Sequence, residues 1–72
     1  MKKISITISG HRTSITLESE FLDALKIIAK KHGKPLAKLI HEIDEARPQN
    51  KNLSSAIRVF VLLDAQNKPT HL

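Results

Sequence analysis

Seventy-two residues carry 12 Lys and Arg against 7 Asp and Glu, a formal net charge of +5, and no cysteine, Trp or Tyr. That length holds one domain, and the missing cysteines exclude disulfides, thiolate zinc sites and thiol catalysis. A single core of this size yields only about 3–5 kcal/mol, so self-association is the route left open to further burial.

At 40% hydrophobic and 26% charged, the composition is that of a folded domain and not of a disordered chain. The longest apolar run, residues 59–63, is far shorter than the ~20 residues of a bilayer crossing. The basic start is followed by alternation instead of a continuous apolar stretch, so a cytoplasmic protein is expected, with no membrane partner. The charge is uneven. Residues 1–17 hold Lys2, Lys3 and Arg12 with no acid, residues 18–47 balance, and the remainder sets Lys51, Arg58 and Lys68 against Asp64. The positive potential is therefore expected at the N-terminal segment and the C-terminal third, a pattern that favours a polyanion partner.

Two stretches of period 2 open the chain. Ile4, Ile6 and Ile8 alternate with Lys3, Ser5 and Thr7; after Gly10, Thr13, Ile15 and Leu17 alternate with Arg12, Ser14 and Thr16. Both predict strands with one buried and one wet face. They form either a hairpin turned at Gly10 or one paired strand and a loose arm.

Three short helices follow. Phe21, Leu25, Ile28 and Ala29 have helical spacing, with acids early, bases late and Gly33 placed to end the helix. A second helix is expected to begin at Pro35, with Leu36, Leu39, Ile40 and Ile43 inward and Lys38 pairing with Glu42. Asn52 is an N-cap for a third helix, whose apolar residues point nearly all round: Leu53, Ile57, Phe60 and Val61 on one side, Val59, Leu62 and Leu63 elsewhere. Such a helix must be covered on several faces, which again calls for a second copy. Residues 1–66 make up the domain, and residues 67–72 are expected to form a flexible tail.

The order strand, helix, Gly, helix, together with His11-Arg12-Thr13-Ser14-Ile15, Leu17-Glu18, Phe21, Ile43-Asp44 and Asn52-Leu53-Ser54-Ser55-Ala56-Ile57-Arg58-Val59-Phe60-Val61, resembles the ribbon-helix-helix (Arc/MetJ/CopG-type) family. Within it, the chain is similar to a subgroup of short bacterial ribbon-helix-helix proteins. The resemblance implies an α+β fold and an intertwined homodimer whose antiparallel two-stranded ribbon enters the major groove of duplex DNA, as in small transcriptional regulators. Carried over, Arg12, Ser14 and Thr16 are the outward, base-contacting residues. Arg can chelate guanine O6 and N7, and Ser or Thr serves donor or acceptor edges.

Phosphates would be held by the opening of the family's second helix. If that helix follows Asn52, the register preferred here, the contacts fall to Asn52, Ser54 and Ser55; if it starts at Pro35, Lys34 is the candidate. If residues 3–8 pair with residues 12–17, the dimer presents four strands, too broad to insert fully into the groove; either Lys3, Ser5 and Thr7 then ride over flanking phosphates or the arm detaches, and failing both the sheet is a dimerisation surface only. The alternative, from another class, is an interaction module on the same fold that docks another protein and leaves DNA alone. A closed sheet with Arg12 packed beneath the N-terminal arm would favour it.

No other chemistry is expected. His11, His32, His41 and His71 lack ligand spacing, so no metal or other cofactor is anticipated. Neither a nucleophile elbow nor a Gly-rich phosphate loop occurs. A chain this short has little room for an enzymatic pocket, and no catalytic residues are assigned.

Overall fold

The computed structural model describes residues 1–8, 10–50 and 52–66. Two strands, β1 (Lys2–Ile8) and β2 (His11–Leu17), precede three helices, α1 (Ser19–Lys31), α2 (Leu36–Ala46) and α3 (Leu53–Ala65). The α+β class and the order of elements are as expected. The tail expected at residues 67–72 lies outside the described residues.

The strands form one antiparallel hairpin, and residues 3–8 are no loose arm. Pairing is continuous from Lys2 opposite Leu17 to Ile8 opposite His11. Gly10, at φ 81°, adopts the left-handed conformation that the short connection requires. β-branched residues favour this pleated surface, and period 2 places Ile4, Ile6, Ile8, Thr13, Ile15 and Leu17 on the same, inner face.

The α1 helix ends in a Schellman motif. The N–H of Lys34 donates to the carbonyl of Ala29 (2.9 Å), and that of Gly33 to the carbonyl of Lys30 (3.1 Å). Gly33 sits at φ 67° to allow it. Leu22, Leu25, Ile28 and Ala29 are buried. Phe21, expected on that face, packs only partly buried against the core, because the buried stripe of α1 starts at the next position, Leu22.

The α2 helix starts one residue later than expected. Pro35 is its N-cap, in extended backbone at ψ 147°, and its carbonyl accepts from the N–H groups of Lys38 and Leu39. The expected Lys38–Glu42 pair is replaced by Lys34–Glu42, formed across the turn. Asn52 caps α3 as expected, its Oδ1 accepting from the Ser55 N–H at 2.8 Å.

In the packed molecule α2 lies against β1 and α3 against β2, while α1 packs on both α2 and α3. Leu17, Leu25, Leu39, Ile40 and Ile57 are the largest fully buried side chains, so β2 and all three helices meet in one core. No polar or charged residue is buried among the described residues.

Gly33 gives the fold its first test. A side chain at its positive φ costs about 1–2 kcal/mol, and no atom lies within 4 Å of an added Cβ, so the cost is conformational and not a clash. Urea unfolding of Gly33→Ala at fixed protein concentration should show a loss of that size, with Gly33→Asn losing less. An unchanged midpoint would contradict the left-handed turn.

Candidate nucleic-acid interface

The hairpin register decides what its outer face presents. Lys3 lies opposite Thr16, Ser5 opposite Ser14, and Thr7 opposite Arg12. All six are exposed. No acid stands among them, and the two cations occupy opposite ends of the two strands. The three base-contact candidates Arg12, Ser14 and Thr16 therefore share one face, and Arg12 is not packed beneath β1. Alternate residues of a strand are about 6.8 Å apart, close to two steps of about 3.4 Å along a DNA strand.

The phosphate candidates are dispersed. Lys3 sits on the hairpin's outer face. Asn52 is engaged as the α3 cap, its side chain taking the Ser55 N–H, one of the first N–H groups of that helix. Ser54 and Ser55 are half-buried. Their end of α3 adjoins an open cavity of about 300 Å³ lined by Ile8, His11, Thr13, Asp44, Arg47 and Leu53, where Asp44 brings a carboxylate ion-paired to Arg47. Lys34 stands before α2 with its ammonium on Glu42, and Pro35 offers no side-chain acceptor to the first N–H groups of α2. The structure does not bring Asn52, Ser54, Ser55 and Lys34 together at one point.

The charge map differs from the sequence expectation. Arg58, counted toward a basic C-terminal third, binds Glu18 through two bonds, Nε to Oε1 at 2.9 Å and Nη2 to Oε2 at 3.3 Å. Lys51 and Lys68 lie outside the described residues. The other basic surface is instead the α1–α2 corner, where Lys26, Lys30, Lys31 and Lys38 are exposed. Residues 24–41 contain five lysines and no acid. The overall balance of residues 18–47 hides that run, because the acids lie at the two ends of the segment, Glu18, Glu20 and Asp23 before it and Glu42, Asp44 and Glu45 after it.

Among the described residues no group of three or more His, Cys, Asp or Glu is placed to hold a metal, and His41 pairs with Glu45. No helix among them is long and apolar enough to cross a membrane.

Two carboxyls titrate abnormally. The Arg58 hydrogen bonds hold Glu18 below the usual glutamate range, and the Lys34 hydrogen bond does the same for Glu42. A carboxyl depressed in the folded state stabilises it above the ordinary pKa, and that contribution disappears as pH falls through the folded value. The thermal unfolding midpoint should therefore fall on acidification below about pH 4.3, the ordinary glutamate value. Glu18→Gln should flatten that decline, and an identical acid profile would show the Arg58 pair to be without effect.

The family model of the ribbon-helix-helix domain matches residues 1–65. Comparisons with curated proteins and with solved structures found no match.

Proposed function

From the premise that this chain belongs to the ribbon-helix-helix domain family, we propose that it is a small cytoplasmic transcriptional regulator that binds duplex DNA as a homodimer through the outer face of its hairpin. The observation that carries this reading is the acid-free face of Lys3, Ser5, Thr7, Arg12, Ser14 and Thr16, all exposed and in register. The role is binding, without catalysis.

The second copy joins at β2, whose outer edge is unpaired among the described residues. The resulting order β1–β2–β2–β1 has its outer strands about 7 Å from the sheet centre. A major groove is about 12 Å wide. The two central strands thus oppose the bases, which assigns Arg12, Ser14 and Thr16 to base edges, while the outer strands meet the groove rims. Lys3 then faces phosphate. Further phosphate contacts fall to the α1–α2 corner, where no side chain caps the first N–H groups of α2 and Lys34 would exchange Glu42 for phosphate, whereas Asn52 already takes one N–H of α3. This exchanges the preferred register for the earlier one. Asn52, Ser54 and Ser55 become secondary candidates.

A second reading is a module that docks another protein. The continuous β1–β2 pairing favours it, because a wide sheet enters a groove less deeply than a bare ribbon. The exposure of Arg12 favours DNA.

Titration of labelled genomic duplexes at several salt concentrations separates the two. Arg12→Ala should cost about 1–3 kcal/mol at a preferred site and relax its sequence preference, while Lys3→Ala should weaken all sequences alike and lower the salt slope by about 1. Absent binding at low salt, or indifference to Arg12, would remove DNA as the ligand.

A further inference from the structure

The cations of the helical region fall into two groups. Lys34, Arg47 and Arg58 are ion-paired, to Glu42, Asp44 and Glu18. Lys26, Lys30, Lys31 and Lys38 are exposed and make no ion pair among the described residues. The first three of these stand on the second half of α1, and Ile27 stands among them, 68% exposed. It is the most exposed large apolar side chain on the described helices.

Helical geometry fixes their arrangement. Leu22, Leu25, Ile28 and Ala29 turn into the core, and at about 100° per residue Ile27 falls almost opposite Leu25, at the middle of the outer face. Lys30 and Lys31 flank it one turn on, at i+3 and i+4, and Lys26 adjoins it. The acids of that face, Glu20 and Asp23, lie toward the other end of the helix. Since α1 packs chiefly on α2 and α3, which lie against the strands, its outer face turns away from the hairpin. Folding accounts for part of this surface: lysines in a last turn oppose the helix dipole. It does not account for Ile27, which adds neither burial nor helix propensity where it stands.

We infer that the outer face of α1 around Ile27 docks an acidic segment of another protein, with carboxylates on Lys26, Lys30 and Lys31 and an apolar side chain seated on Ile27. This surface is separate from the hairpin face and does not depend on what that face binds. Charge complementarity selects an acidic partner, and Ile27 selects among acidic partners. A nucleic-acid backbone offers phosphates to the lysines but no apolar group to the isoleucine. A bilayer takes up the broad apolar face of an amphipathic helix, whereas Ile27 is the one large apolar side chain that α1 exposes among the described residues. A protein segment supplies both chemistries at the spacing of a few residues, as an apolar anchor ringed by charges.

The test titrates the full chain at low salt with labelled synthetic peptides of equal negative charge. One is a glutamate helix bearing leucines at helical spacing, and the other carries serines at the same positions. The leucine peptide should bind at least about fivefold more tightly. Ile27→Ala should erase that preference and keep the general attraction, with circular dichroism unchanged because the side chain lies outside the core. A Lys30→Gln, Lys31→Gln double variant should weaken both peptides alike. Equal affinity for the two peptides, or a preference that survives Ile27→Ala, reduces the face to unselective charge and overturns the proposal. Tighter Ile27-dependent binding to phosphatidylglycerol vesicles than to the leucine peptide overturns it in favour of a membrane, and self-association lost in Ile27→Ala overturns it in favour of another copy. The peptide should stay bound when duplex DNA is added; complete displacement by the duplex would place DNA on this face and overturn the proposal. A duplex that never binds while the peptide does removes the DNA reading and leaves this one standing.

Discussion

The register of the β1–β2 hairpin divides the side chains of both strands between core and solvent. Because side chains alternate, a slip of one residue would turn Ile15 and Leu17 outward and bring Arg12 and Ser14 inward. The observed register sets Ile4 opposite Ile15 on the inner face and Ser5 opposite Ser14 on the outer face. Apolar burial and polar display are thus one choice. The free energy that holds Leu17 completely buried also holds Arg12 in the open, and any DNA-reading role of the outer face depends on that coupling.

The helices convert this hairpin into a platform. Two of them lie under one strand each, and α1 braces them from the other side. Local chemistry sets their ends: the Schellman bonds at Gly33, the Pro35 carbonyl at the start of α2, and the Asn52 side chain at the start of α3. The Arg58–Glu18 pair joins α3 to the β2–α1 junction, fixing the helix along the strand. Being half exposed, the pair contributes more to alignment than to stability. The apolar core fills the interior but leaves Val59 and Leu62 exposed.

Much of this was legible in the sequence because it is local. Period 2 in residues 3–8 and 12–17 marked the strands, Gly33 marked a helix end, and Asn52 marked a helix start, each through backbone chemistry within a few residues. The buried set of α3 followed from helical spacing alone. What escaped depends on distance through space. The Arg58–Glu18 pair joins residues 40 apart, and Lys34 wins Glu42 from Lys38 because the turn at Gly33 folds it back over α2. The same turn gathers lysines from two helices at one corner, which no single helical wheel displays. Whether residues 3–8 pair with residues 12–17 was undecidable from alternation, since paired and unpaired strands share the same pattern.

The outer face is most directly tested by amide and side-chain NMR of the labelled protein titrated with a DNA duplex at low salt. Shifts should concentrate on Lys3, Ser5, Thr7, Arg12, Ser14 and Thr16, with a second set at the α1–α2 corner around Lys34, and the Glu20 and Asp23 positions of α1 should stay unmoved. Shifts that leave the hairpin untouched, or none at all, would contradict the assignment of this sheet as the surface that meets DNA.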